Sequence, residues 1–568
     1  MATSYNGGVF SKVEYERPGR SVFDLSYSKI FDTDFGLLYP VMCDELSPGM
    51  FWKIKAMAKV RVMPMQAPVF GSIKLFAHYF FVPYRLLWDD SKTENWEQFI
   101  TGGEYEPGKF DTYDGLTDIA LPRWYPENTH KHSLWDSFGF PVGVNPTLNS
   151  GFAPIDFPRR AYNLVYNEFY RDENLVDEVP LSNENILLRA RTKDYFNTAL
   201  PWQQKGNPIA LPISTTGKVV FDTTSVQHLY EKAKLQSSSG SVVMNNVNLV
   251  PVRASESGDT LSSLVGTLGI ETSLTANLSA NTKNPVVADI VNTDLKNFLN
   301  QKMDNHLEAV STSFTIADLR MAFQLQKWME RNARAGNRYI EYLKANFAVA
   351  PKDERLQRPE YIGGMQMPVI VSEVLQTSES TSSSPQGNMS GHGIGAGKNT
   401  IGSYYADEYG LIIGIMSIMP NQLYQQGINR QWLRQSRYDF YNPVFANLSE
   451  QAIYNAEIYA QGNGTPDDDN DAQTDFGKFG FQGRYDELRY KPNIVTGNLR
   501  DTLDYWHMGR KFDALPKLNE AFIEQNPLET KKIFMEQTEP PFIVEYYNLI
   551  RAVQPMPYHA QPGLIDHF

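Results

Sequence analysis

Gly49-Met50-Phe51-Trp52-Lys53-Ile54-Lys55-Ala56-Met57-Ala58-Lys59-Val60-Arg61-Val62 alternates apolar and polar residues almost without interruption. A period of two marks a strand with one buried face, so Trp52, Ile54, Ala56, Ala58, Val60 and Val62 are expected to point into a core. The opposite face carries Lys53, Lys55, Lys59 and Arg61 at intervals of roughly 6.7 Å, with Met57 in the middle position. That spacing suits a phosphate backbone and makes the four candidates for nucleic-acid contact. The bland reading is a solvated face, or one covered by another loop's carboxylates. Working outward, residues 73–82 are aromatic on both faces and closed by Pro83, as expected of a strand covered on both sides. Residues 411–419 form a nearly continuous apolar run, the pattern of a buried strand. Val369-Ile370-Val371 reads as a short strand and residues 543–547 as another, so the two ends of the chain are expected to share one sheet system.

Composition agrees with a β-rich, loop-rich protein and argues against a helical bundle: aromatics are 13% of 568 residues, and 34 Pro and 39 Gly interrupt the pattern often. The single cysteine, Cys43, rules out an internal disulfide framework and suits a reducing compartment. Met1-Ala2-Thr3-Ser4-Tyr5 lacks the features of a signal peptide, and no run approaches the length of a membrane helix, so a soluble chain without membrane insertion is expected. A net charge of -13 argues against generic nucleic-acid affinity but says nothing about a single face.

Three parts are expected: 1–204, 205–312 and 313–568. In the first, residues 88–202 read as long ordered loops with a helix-like patch at 161–171 and candidate strands at 186–191. The second is rich in Ser and in short β-branched runs and poor in charge, which suggests a β-containing insertion packing mainly on itself. Its polar stretches, with Ser237, Ser238, Ser239, Ser241, Ser255, Ser257, Ser262 and Ser263, are candidate attachment loops. The third opens with the clearest helix. Thr315 and Asp318 form a capping box, and Phe314 and Leu319 occupy the positions of a hydrophobic staple. Ala322, Leu325, Met329, Ala333, Gly336, Ile340, Leu343 and Phe347 recur at helical spacing, which predicts one buried stripe, with Ala335-Gly336-Asn337 as a candidate break. A Ser-, Gly- and Thr-rich loop is expected over 377–400. The aromatic chain ends, including Tyr5, Phe10, Tyr15, Tyr558 and Phe568, are expected to dock on neighbouring subunits or on the inner wall of an assembly.

Several chemical motifs nearly form and fail. Gly391-His392-Gly393-Ile394-Gly395-Ala396-Gly397-Lys398-Asn399 resembles a P-loop, yet His392 stands where Gly is needed and Asn399 where Ser or Thr is needed, so a flexible loop is favoured. Asp467, Asp469 and Asp471 imitate an EF-hand opening, but Ala472 replaces its Gly and Lys478 its bidentate Glu, which leaves a solvated acidic loop. His130 and His132 lack a third ligand at metal spacing and read as surface histidines. Cys43 reads as a structural thiol. Nothing nominates a catalytic residue, a metal or a cofactor.

Trp328-Met329-Glu330-Arg331-Asn332-Ala333-Arg334-Ala335-Gly336-Asn337-Arg338-Tyr339, Arg358-Pro359-Glu360-Tyr361-Ile362-Gly363-Gly364 and Ser372-Glu373-Val374-Leu375-Gln376-Thr377 are long and unusual strings. With Phe23-Asp24-Leu25-Ser26 and Phe80-Phe81-Val82-Pro83-Tyr84-Arg85-Leu86-Leu87-Trp88, they make the chain similar to major capsid proteins of the Microviridae, in their gokushovirus branch. The resemblance implies an eight-stranded viral jelly roll with long insertions, and a homo-oligomeric icosahedral shell around single-stranded DNA. It also implies scaffolding and minor virion proteins as partners, protrusions from the insertion that meet a host cell-surface receptor, a virion assembled in the bacterial cytoplasm, and no enzyme. The rivals are a β-rich carbohydrate-processing enzyme, which needs two carboxylates in one aromatic cleft, and a carbohydrate-binding module.

Overall fold

Strand β4 (Phe51–Val62) alternates as its sequence requires: every second residue from Trp52 to Val62 is buried, and Lys53, Lys55, Lys59 and Arg61 are exposed. In this computed structural model the described residues are 19–91, 94–101, 121–146, 153–207, 316–375, 389–466 and 472–559. Around β4 lie β1 (Ser21–Asp24), β2 (Tyr27–Thr33), β3 (Tyr39–Leu46) and β5 (Ile73–Pro83), then a minor pair, β6 (Asp89–Ser91) and β7 (Glu94–Asn95). There follow β8 (Glu360–Leu375), β9 (Met389–Tyr405) and β10 (Gly410–Pro420), a second minor pair β11 (Glu450–Tyr454) and β12 (Lys478–Gly483), and β13 (Phe542–Gln554). The chain divides into two compact units, residues 1–207 with 327–568, and residues 208–326; all these strands belong to the first.

The main sheet runs β1-β13-β4-β9-β8-β5-β10-β3, with β2 also on β13. β1 and β2 lie end to end along β13, against residues 551–554 and 542–548. Between them the Leu25 N–H donates to the Ile550 carbonyl at 3.0 Å, and Ser26 Oγ accepts from the Ile550 N–H at 3.0 Å. The two short strands therefore fill one edge position, and the sheet has the eight positions of a jelly roll. As expected, the chain ends meet: β13, near the C-terminus, pairs with both β4 and the first two strands.

The sheet folds into a sandwich because β8 serves both halves. Residues up to Val369 of β8 pair with β5, whereas Ile370 onward pairs with β9, whose later residues pair with β4. One apolar core fills the space between the halves, with Trp52, Ile54, Val60, Val544 and Ile550 from one side and Val41, Leu75, Ile412 and Met416 from the other. A polar bridge crosses it. Tyr79 Oη on β5 donates to Asn548 Oδ1 on β13 at 2.8 Å and lies 3.0 Å from Tyr546 Oη, while Asn548 Nδ2 donates to the Val41 carbonyl at 2.9 Å.

The two outer faces differ. Phe80, Val82, Leu411, Ile413 and Ile415 point away from the sandwich core into a second core built by the loops, with Trp124, Trp135, Phe157 and Tyr162. Strands β5 and β10 are therefore covered on both sides, as their apolar sequences predicted. The outer face of β4 keeps its cations exposed. A third cluster, with Phe196, Tyr424, Ile453 and Phe522, anchors β11 and β12.

Three expectations are corrected. Residues 389–400 are strand β9, not loop, because glycines at alternate positions let the backbone approach its neighbours. A Cβ at Gly391 would lie 2.5 Å from the Ala67 carbonyl oxygen, one at Gly393 2.5 Å from Val62 Cγ2, and one at Gly395 2.9 Å from Met367 Cε. The helical stripe is not buried: the segment breaks at Gly336, where the sequence placed a candidate break, into helices over Ile316–Ala335 and Tyr339–Phe347, but Leu325 and Phe347 are 45% and 63% exposed. Met329 and Ala333 alone of that stripe are buried among the described residues. Helical spacing reports that apolar residues share a face, not that this chain covers the face. Residues 186–191 make isolated bridges through Leu188 and Ala190 instead of a strand. The capping residue Thr315 lies outside the described residues.

Gly391→Val should cost about 3 kcal/mol or more in urea unfolding of the subunit, since its obstacle is backbone, while Ala396→Val on the exposed face of the same strand should be nearly neutral. Asn548→Ala strands the Val41 carbonyl and removes one of the two hydrogen bonds of the Tyr79 hydroxyl, and should cost about 2 kcal/mol in the same measurement.

Candidate nucleic-acid face

The alternation of β4 puts Lys53, Lys55, Lys59 and Arg61 on one exposed face, and the sheet register decides what stands beside them. On β13, Arg551 is directly opposite Lys53 and is also exposed. On β9, Lys398 is opposite Met57 and fills the gap that Met57 leaves in the row of cations. Both additions escaped sequence reading for different reasons. Arg551 follows from the alternation of β13 but needs the pairing to place it, and Lys398 sits in the run taken for a loop.

Counter-charge is sparse. Lys59 Nζ lies 3.1 Å from Glu545 Oε2 and 3.1 Å from Tyr547 Oη, above the Tyr547 ring. The hydrogen bonds from Tyr547 and then Lys59 hold the Glu545 carboxyl below its usual range, and those to Tyr547 and Glu545 raise Lys59 above its own, so both remain charged. Among the described residues Lys53, Lys55, Arg61, Lys398 and Arg551 make no ion pair. Asp32, on β2 beyond Ile543, is engaged by His132 Nε2 at 3.0 Å. Like charges directly across strands are unfavourable, so Lys53 beside Arg551 is a cost that the fold itself leaves uncompensated.

This basic sheet face sits on a chain whose residues 11–564 match the family described as capsid protein (F protein). It is 35% identical to the capsid protein VP1 of Chlamydia phage 1, covering 98% of this chain and 97% of that one. It is 32% identical to the capsid protein VP1 of Bdellovibrio phage phiMH2K over the full length of both. The VP1 of Spiroplasma virus 4 is 27% identical, over 98% of this chain and 97% of that one. The chain belongs to the phage F-protein capsid family.

The remaining candidates in this capsid-family chain fall into two groups. Ser237, Ser238, Ser239, Ser241, Ser255, Ser257, Ser262 and Ser263 lie outside the described residues, as do Asp467, Asp469, Asp471, Tyr5, Phe10, Tyr15 and Phe568. Tyr558 is described and stacks on Phe23 at 5.7 Å. His130 and His132 are both exposed, and among the described residues no three His, Cys, Asp or Glu side chains converge as metal ligands. A small cavity lined by Arg430, Arg434, Arg484, Tyr454, Asp439 and Glu487 does bring two carboxylates near an aromatic ring, but its volume of about 10 Å³ holds about one water, not a sugar. Among the described residues no helix is long and apolar enough to cross a membrane.

Cys43, on β3, is partly buried against the loop core, and desolvation pushes its thiol up to about 12. Thiolate is the reactive form and accumulates only above that value. Native protein at pH 8 should therefore resist iodoacetamide at Cys43, whereas unfolded protein should be alkylated completely, as read by intact mass.

Proposed function

We propose that this chain is a major capsid protein that self-assembles into a small closed icosahedral shell around single-stranded DNA, with the outer face of β4, β9 and β13 turned toward the packaged strand. Family membership supports the shell, and the observation that carries the DNA-facing assignment is the set of exposed cations on one sheet face of an acidic chain, all but Lys59 without an ion pair among the described residues. A flexible single strand meets such a face through its phosphates, independent of sequence. Lys53, Lys55, Lys59 and Arg61 supply the row, with Lys398 and Arg551 flanking it. In this reading the protein is no enzyme: it positions and neutralises nucleic acid. Scaffolding and minor virion proteins assist assembly in the host cytoplasm, and the serine-rich stretches at 237–241 and 255–263 meet a host-surface receptor. Composition is the support for the receptor role.

Replacing Lys53, Lys55, Lys59, Arg61, Lys398 and Arg551 by Gln should leave empty shells forming while packaged DNA falls severalfold. Binding of a single-stranded oligonucleotide to wild-type protein should weaken with salt at a log–log slope of roughly -4, if each cation meets one phosphate, and the variant's slope should approach zero. Unchanged DNA content in the variant particles would refute the assignment. Replacing the two serine-rich stretches with short Gly-Ser links should leave particles intact and abolish adsorption to the host; undiminished adsorption would exclude them as the attachment surface.

A further inference from the structure

Between β10 and β11, one stretch of chain turns an unusual set of side chains outward: Trp432, Tyr438, Phe440, Tyr441, Val444 and Leu448 are between 51% and 74% exposed. The stretch is fixed in shape. Tyr485 Oη donates to the Phe440 carbonyl at 3.0 Å, Arg484 Nη2 donates to the Tyr438 carbonyl at 2.8 Å, and the Tyr441 and Tyr485 rings meet edge-on at 5.2 Å. Asn429, Ser436 and Asn442 side chains accept from the Gln431, Tyr438 and Val444 N–H groups, so each short turn is locked locally. The Arg434 guanidinium lies 4.8 Å from the centre of the Phe440 ring.

We propose that this stretch, residues 428–448, is a contact surface between copies of this chain, and that its occupant is a second copy. The inference rests on the shell reading and names where one of its contacts lies. One quantity favours it. Aromatic side chains present about 150–250 Å² each, so the four exposed here offer roughly 500 Å², over half of the ~800 Å² per partner that a stable protein interface needs. Charge does not oppose it: Arg430 and Arg434 lie against Glu457 and Glu487 of the same chain, which leaves Arg437 and Asp439, one of each sign, so the stretch carries no net charge that would repel its own copy. Tyr, Trp and Arg around a rigid backbone are also the composition of binding hot spots, and a preformed surface loses little entropy on docking.

The test uses the full-length chain with two substitutions, Trp432→Ser and Val444→Ser, against Ile370→Ser, which removes an equally exposed apolar side chain elsewhere. The double variant should keep the wild-type circular dichroism and melting curve. Its shell yield should fall at least tenfold, and its self-association in sedimentation velocity should weaken at least tenfold, while Ile370→Ser behaves as wild type. If the double variant misfolds, Val444→Arg carries the same expectation. Self-association as tight as wild type would overturn the surface. So would normal shells that lack only another virion protein, which would make that protein the occupant. A wild type that self-associates through this stretch without closing shells would overturn the shell reading alone; a strictly monomeric wild type would overturn both.

Discussion

Strand β8 passes from one half of the sandwich to the other, and along its later residues it pairs with β9, one face of which is built of glycines. At Gly391 the obstacle to a Cβ is the Ala67 carbonyl, and at Gly363, on β8, it is the Ile401 carbonyl; neither is a side-chain tip that rotates away. Each glycine in a strand costs about 0.5–1 kcal/mol in chain entropy relative to Ala. The cost is offset because the close approach lets β8 and β9 pair with each other at residues 370–375 and 389–394 and still pair with β5 and β4 at their other ends. Without that shared pair the halves would be separate sheets with open edges.

Within the closed sandwich, register is set by the few polar groups that cannot be misplaced. Asn548 and Tyr546 are fully buried, and their partners Tyr79 and Val41 sit on the facing half. A slip of one residue in β13 would turn Asn548 to solvent and leave the Val41 carbonyl and the Tyr79 hydroxyl unpaired in an apolar core. The same register fixes what happens on the other side of the sheet. With Tyr546, Asn548 and Ile550 inward, Arg551 must point outward, and its pairing with β4 sets it opposite Lys53. The core thereby determines the charge pattern of the surface.

That coupling explains which parts of the molecule were legible in the sequence. β4 was legible because its alternation is local, and β5 and β10 were legible because runs apolar on both faces need two coverings. The cations of β4 followed at once. Lys398 did not, since a Gly-rich run has no side-chain period to read and its strand character comes from partners far along the chain. The helical segment misled in the opposite sense: its periodicity is real, but Leu325 and Phe347 are 45% and 63% exposed, because helical spacing says which residues share a face and not that the face is buried. The break at Gly336 was legible because its φ of +103° is a conformation that glycine adopts freely.

The asymmetry between the two outer faces carries the argument furthest. The face of β5 and β10 is covered by the chain's own loops, with Trp124 and Trp135 fully buried there. An antiparallel sheet needs no such cover when its outer face is polar, so the exposed face of β4 is stable as a solvated surface. Stability alone, however, would favour mixed signs on it, and carboxylates are plentiful in a chain with 65 Asp and Glu against 52 Lys and Arg. Acidic groups are instead spent on arginines elsewhere, such as Glu457 on Arg430 and Asp156 on Arg159, while Glu545 alone among the described residues pairs with the row on β4. Among the described residues the exposed face of β4 therefore concentrates cations that, Lys59 apart, have no ion pair, and the repulsion between neighbours such as Lys53 and Arg551 is of the kind that an anion reduces, a polyanion along the whole row at once.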